Sequence, residues 1–238
     1  MFNALFSGSY VGIFWFFPPL ICIYLAIPLF SAIKGNKTKL FKYLAIVGFI
    51  LNIAVPFLIN LFNYYLGTEF LWKYNLSVIG DYLIYPVIGY LLHNDKLTKK
   101  MRITVYVLAI VSLVVHILGT YYVSHDAGAV VRLFKGYLNV PCFFYSIGVF
   151  VFIKQLSNSE KLVSIIKKPV LFLQKYSFAF YLLHFFVLGE LARQFEPLGL
   201  SVNNLLYVFI AFILTIPICI LLTFLIRKIP VVGKYILP

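Results

Sequence analysis

The sequence predicts an all-α fold, a polytopic transmembrane helical bundle of about seven helices with the N-terminus outside and the C-terminus cytoplasmic. Three observations carry this. Of 238 residues, 63% are hydrophobic and only 11% charged, against roughly 25% charged in a soluble domain whose surface faces water. The apolar residues come in runs of about twenty, the length a helix needs to cross a bilayer core of about 30 Å. The basic residues gather in alternate loops between those runs. Lipid offers no partner to backbone N–H and C=O groups, so spanning segments are helices or closed barrels. Barrel strands would be shorter and would alternate.

Seven spans follow in order. The first runs from Tyr10 to Ile33 and stops at Lys34. The second, Tyr43 to Tyr65, lies between a lysine cluster and an aromatic edge. The third is Leu76 to His93, the fourth Thr104 to Val123 and the fifth Leu138 to Ile153. The sixth, Phe178 to Phe195, precedes the last, Asn204 to Ile226. Pro18, Pro19, Pro56, Pro86 and Pro217 fall inside spans and predict kinks, which neighbouring helices tolerate. Between the fifth and sixth spans, Gln155 to Lys175 mixes Leu156, Leu162, Ile165 and Ile166 with lysines. That pattern predicts an amphipathic helix along the membrane surface, interrupted at Pro169.

Sixteen of the twenty basic residues lie in the loops after the first, third, fifth and seventh spans; the exceptions are Lys73, Arg132, Lys135 and Arg193. Positive loops stay in the cytoplasm, which fixes the orientation. The net charge of +13 therefore reads as topology, not as nucleic-acid binding, whose motifs are absent. Tyr64, Tyr65, Trp72, Tyr74, Tyr121, Tyr122 and Tyr137 mark the outer interface, where amphipathic rings settle. Cys22, Cys142 and Cys219 lie in apolar runs at spacings that suit no metal or redox motif and read as small buried residues. There is no linker, repeat or low-complexity tract, so residues 1–238 read as a single membrane domain. Met1 to Ser9 has no basic n-region and does not resemble a signal peptide.

Ionisable groups inside a bilayer are expensive and are functional candidates by default. Five stand out: Asp81, His116, His184, Glu190 and Arg193. His184 lies about seven residues into its span with Tyr181 on the same face. It suits acid–base chemistry or a substrate path, or a neutral hydrogen bond between helices. Glu190 and Arg193 are three apart near the outer end of the same span. They read as an interfacial ion pair or as an outward site for a polar acceptor. Asp81 lies in the outer half, with Arg193 and Arg132 as alternative partners. His116 is near mid-membrane, where a lone histidine is more often structural. Asn52, Asn60 and Asn63 are expected to hydrogen-bond between helices. No glycine-rich phosphate loop, metal-site motif or serine nucleophile elbow is present. No metal or bound cofactor is expected.

Three stretches in order along the chain carry a resemblance. Phe14 to Leu29, with Trp15, Pro18, Pro19, Tyr24 and Pro28, is similar to a "WFL…YLLxPLL" span. Ser177 to His184 is similar to "SFGIYLIH". Arg227, Lys228, Ile229 and Pro230 match a basic-Ile-Pro ending. Tyr85 to Leu92 is also similar to a "FLLGYLL" span. Together they resemble the membrane-bound acyltransferase-3 family. The resemblance implies a multi-pass enzyme of a bacterial plasma membrane. It would transfer an acyl group, often acetyl, from acyl-CoA as donor substrate to a hydroxyl of a cell-envelope polysaccharide or related glycan.

It also transfers Trp15, Tyr24, Tyr181 and His184 as site-lining or structural residues. The family has about ten helices, and its Arg-(about ten residues)-His pair on the first of them holds the presumed base. No such pair opens this chain, whose first histidine is His93, and Ile13 stands where members often have His. The resemblance thus implies the last seven helices of ten, a truncated enzyme without its N-terminal catalytic histidine, with a partner chain supplying the missing helices as the alternative to truncation. The partners expected are membrane lipid, acyl-CoA and an envelope glycan, with no nucleic acid. The alternatives are a transporter or flippase for an envelope lipid or sugar, which would act without acyl-CoA, and a non-catalytic membrane partner.

Overall fold

A computed structural model describes residues 15–33, 35–74, 79–200 and 204–229, with Asp81 described by its backbone alone. Among them are seven helices and no strand. They are α1 (Phe17–Ala32), α2 (Lys37–Leu66), α3 (Ile84–Asn94), α4 (Lys99–Asp126), α5 (Val140–Leu156), α6 (Glu160–Phe195) and α7 (Leu205–Arg227). Four of these helices are long and apolar enough to cross a membrane: α2, α4, α6 and α7. Large apolar side chains lie exposed along them, Leu66 at 67%, Ile110 at 63% and Phe212 at 66%. Water would not tolerate so much exposed apolar surface; lipid does. The expected starts of the first and third spans, at Tyr10 and Leu76, lie outside the described residues.

Trp15–Ser159 form one compact unit, and the described residues from Glu160 onward form another. In the first unit the core gathers between α2, α3 and α5, around Phe41, Ile53, Ile79, Ile84, Val87 and Phe143. Phe49 packs on Phe143 at 4.6 Å. The seam between α4 and α5 is close because it is built from small residues: a Cβ at Gly148 would overlap the Ala109 methyl. That is how helices approach in lipid, where burial of apolar area adds no preference for one another. The basic ends of α2, α3, α4 and α5 meet at one side. There Lys42 pairs with Asp95 at 2.7 Å, and the Lys154 ammonium of α5 donates to the carbonyls of Leu92 (2.5 Å), His93 (2.8 Å) and Asp95. The last carbonyls of a helix have no partner within it, so Lys154 caps α3 from a neighbouring helix.

In the second unit α6 and α7 pack antiparallel. The buried residues of α7 are Tyr207, Ala211, Thr215, Cys219 and Thr223, one every fourth position. This is a mostly small-residue stripe on a helix that is otherwise apolar all round. Both threonine hydroxyls donate back to the carbonyl four residues earlier, at 2.6 Å, which satisfies them without water. Arg227 stacks over the Tyr176 ring at 5.3 Å, and Tyr207 reaches the Leu188 carbonyl of α6 at 3.4 Å.

Several expectations need correction. Pro169 does not interrupt a surface helix: α6 runs unbroken through it for 36 residues. At 1.5 Å per residue that is about 54 Å, well beyond one bilayer core. The lysine-bearing stretch is therefore the leading half of the helix that crosses. A proline there removes one hydrogen bond, and the turns on either side hold the rest. The third helix starts only at Ile84, after a single 3₁₀ turn at Asp81–Leu83. Its 11 residues rise about 16 Å, too short to cross alone. Pro18, Pro19 and Pro86 sit in first helical turns, where no N–H is needed, so they start helices and do not kink them. Pro56 does act mid-helix. It lacks the N–H that would bond the Asn52 carbonyl, and the wider π-helical turn Ile50–Ala54 lies there. Cys22 is exposed, whereas Cys142 and Cys219 are buried.

Two stability outcomes follow. Gly148→Leu forces α4 and α5 apart and is expected to lower stability by about 1–3 kcal/mol, read as a drop in unfolding temperature in detergent; Ala109→Gly should restore part of it. Lys154→Met keeps the stem but strands three carbonyls. A loss of about 1–3 kcal/mol is expected, and an unchanged unfolding temperature would show that the clamp contributes nothing.

Candidate functional site

Directly after α2 the described residues 67–74 are not helical, and this is where polar groups gather. Residues 67–74 leave α2 through Gly67, whose φ of 63° lies in the left-handed region, which glycine adopts freely. Asn63 then holds the turn: its amide donates to the Phe70 carbonyl at 2.9 Å. Its own carbonyl accepts from the Phe70 N–H and from the Thr68 hydroxyl, both at 2.9 Å. Trp72 is half-buried, and its indole N–H donates to the Leu51 carbonyl at 2.9 Å. Leu51 is halfway along α2, about 20 Å from either end. Asn52 donates to the Ile79 carbonyl at 3.3 Å. The segment therefore folds back along α2 to membrane depth. This corrects two expectations. Trp72 is not part of an interfacial belt, and Asn63 bonds to the irregular segment that follows its own helix.

Irregular backbone at membrane depth is tolerated where it lines a cavity or is covered by protein. Here it lines a pocket of about 420 Å³, with Asn52, Asn60 and Asn63 of α2 on one wall, Phe70, Leu71, Trp72 and Lys73 on another, and Gly80 and Leu138 closing it. The three asparagines lie eight and eleven residues apart, which keeps them on one face of α2. Amides offer both donors and acceptors, and Lys73 adds one positive charge. Beside Gly80 and Leu138 stands an aromatic group. Trp15 stacks on Tyr137 at 4.9 Å and 14°, and Tyr82 lies 6.2 Å from Trp15 and 6.3 Å from Tyr137. The Tyr85 hydroxyl donates to the Tyr137 carbonyl. Trp15 and Tyr137 cover one face of each other and keep 38% and 57% exposure, so part of each ring stays uncovered.

The candidates named from the sequence fall in different places. Trp15 joins the aromatic group. Asp81 lies by its backbone between Gly80 and Tyr82, at the mouth of α3; its side chain is outside the described atoms. Tyr24 is 63% exposed on α1, about 13 Å along the helix from Trp15, and joins neither group. His116 sits in a second π-helical turn, Val115–Gly119. Its ring packs edge-on against Tyr145 at 5.6 Å. Its Nδ1 and the Thr120 hydroxyl are buried with no partner among the described residues. Both lie on the α4 side of the α4–α5 seam, a place where a polar ligand or water is owed a bond.

The other candidates belong to α6. His184 is half-buried, stacked on Phe180 at 5.7 Å and 7°, with Tyr181 at 6.0 Å. Its Nδ1 lies 3.0 Å from the Phe180 carbonyl. A carbonyl only accepts, so Nδ1 carries a proton, and Nε2 is the ring nitrogen left for another partner. Arg193 pairs with Glu190 at 2.9 Å, and Gln194 donates to the same oxygen at 2.7 Å. The pair is exposed on α6. Among the described residues no group of three His, Cys, Asp or Glu side chains converges as a metal site. The pocket wall of Asn60, Trp72 and Lys73 was missed in the sequence. The asparagine spacing on one helix face was the signal, but nothing in it shows that the chain turns back.

Helices with lipid-compatible surfaces, an irregular segment at membrane depth and a polar pocket beneath it define a polytopic helical membrane protein with a polar cavity at membrane depth. A family model described as an acyltransferase domain, that of acyltransferase 3, matches residues 2–224. The chain belongs to this family, and at the level of the family it is a membrane acyltransferase. No curated protein and no solved structure matches it.

Trp72→Phe keeps the ring and removes the N–H that serves the Leu51 carbonyl. A loss of about 1–3 kcal/mol is expected, together with faster hydrogen exchange in residues 67–74. Equal exchange in the two proteins would show that the indole does not hold the segment.

Proposed function

We propose that the chain is the binding body of a membrane O-acyltransferase. It brings an acyl-CoA donor on the lysine-rich, cytoplasmic side to a hydroxyl of an envelope glycan received at the asparagine-lined pocket. The observation that carries this reading is the family match over residues 2–224. The pocket supports the acceptor class. Amides that both donate and accept suit vicinal hydroxyls, and the uncovered ring surface of Trp15 and Tyr137 suits the C–H faces of a sugar ring. Acyl transfer to a hydroxyl needs a base to take its proton as the O–C bond forms and the thiol of CoA leaves. The Arg and His pair that the resemblance implies for that step has no match in these residues. The base comes from a partner segment or chain, with His184 Nε2 as the acceptor available within this one.

The test is deletion of the gene from its source cell, with alkali-labile acyl groups on the envelope glycan measured by mass spectrometry. Deletion is expected to remove them, and the wild-type chain to restore them. Asn60→Ala and Lys73→Ala should each restore transfer about two- to tenfold less well, the worth of one hydrogen bond. His184→Ala abolishes transfer if this histidine is the base and leaves most of it if a partner supplies the proton acceptor. Unchanged acylation with loss of glycan from the cell surface would sink the acyltransferase reading and favour a transporter.

A further inference from the structure

At the lysine-rich end of the first unit lies a second pocket, of about 410 Å³, formed where α3 ends, α4 begins and α5 ends. Its lining includes His93, Asp95, Lys96, Arg102, Lys154 and Gln155. Positive loops at this end suffice to orient a membrane protein, and a lysine in water would serve. Arg102 is only partly in water: it is half-buried, and neither its guanidinium nor the exposed Lys96 ammonium has a side-chain partner among the described residues. The one carboxylate in the lining, Asp95, is taken by Lys42 at 2.7 Å. Lys154 is taken by the carbonyls at the end of α3. The Gln155 amide nitrogen is buried and has no acceptor. The pocket thus holds two uncompensated cations and an unused donor, and a half-buried charge without a partner is costly.

We propose that this pocket binds a phosphate-bearing ligand, held by Arg102, Lys96 and the Gln155 amide. A guanidinium fork, an ammonium and an amide around this volume suit an anion with more than one charge and several acceptor oxygens. That describes a phosphate or diphosphate better than a single carboxylate. The first turn of α4, which starts at Lys99, adds the positive end of a helix dipole. Two sources offer this chemistry: the nucleotide phosphates of coenzyme A, a source that rests on the acyl-transfer reading, and the headgroup of an anionic lipid, which does not.

The test uses the full chain in phosphatidylcholine nanodiscs, titrated calorimetrically with sodium pyrophosphate, with coenzyme A and with pantetheine, which lacks the phosphates. Retention of phosphatidylglycerol from mixed nanodiscs is measured in parallel. Pyrophosphate and coenzyme A are expected to bind, and the double variant Lys96→Gln/Arg102→Gln to weaken both about tenfold or more. Arg102→Lys should keep part of the affinity, and Lys39→Gln, outside the pocket, all of it. Should the double variant lose cooperative unfolding, Lys96→Gln on its exposed side chain carries the same reading. If the soluble probes do not bind but phosphatidylglycerol retention falls in the variant, the ligand is a lipid headgroup and the site stands. No binding of any probe, or affinities and lipid retention untouched by the substitutions, overturns the proposal. Arg102-dependent pyrophosphate binding in a protein whose deletion leaves glycan acylation unchanged would sink the acyltransferase reading and keep the site.

Discussion

A backbone amide or carbonyl that leaves a helix inside a bilayer has no water to bond, and the first unit is arranged around that constraint. The described segment that follows α2, residues 67–74, gives up helical bonding at membrane depth. It is bonded instead by a side chain that α2 provides, Asn63 to Phe70, and by its own Trp72 to Leu51, while Asn52 of α2 bonds the Ile79 carbonyl. The shortened α3 that follows is closed at its other end by Lys154. Each is a side chain standing where a helical hydrogen bond is missing. What the irregular segment provides in return is space: a polar pocket that seven straight helices would have filled with side chains.

The same logic explains the two π-helical turns. In α2 the turn falls where Pro56 cannot bond back to Asn52, which frees that region to receive Trp72. In α4 there is no proline. The turn spans His116 to Gly119, and Phe134 packs so close to Gly119 that a Cβ there would lie 2.7 Å from the ring. Wide turns of this kind are frequent at functional sites. Here one borders the asparagine pocket and the other carries an unpartnered histidine nitrogen.

The basic residues show that one charge pattern serves two purposes. Sixteen lysines and arginines in alternate loops orient a chain whatever their geometry. Lys154, Lys42 and Arg102 go further: packing removes Lys154 and Arg102 in part from water, and Lys42, though exposed, pairs with the end of α3. Lys154 finds three carbonyls and Lys42 finds Asp95. Arg102 faces an open pocket. A rule based on counting charges treats these residues alike, and only their surroundings separate anchor, clamp and binding group.

The sequence by itself determined the helical class, the number of helices and the family. These depend on the length and composition of apolar runs and on short ordered motifs, all of which are local. It also put forward Trp15 and His184 as candidates. It did not show that Pro169 lies within an unbroken helix, that the third helix is short, or that Trp72 folds back to mid-membrane. Nor did it show which face of α7 is buried, since a helix apolar all round has no amphipathic signal to read. Those features were decided by tertiary structure. In lipid the apolar pattern no longer marks inside from outside, and close approach of small residues and the bonding of every freed backbone group decide which surfaces meet.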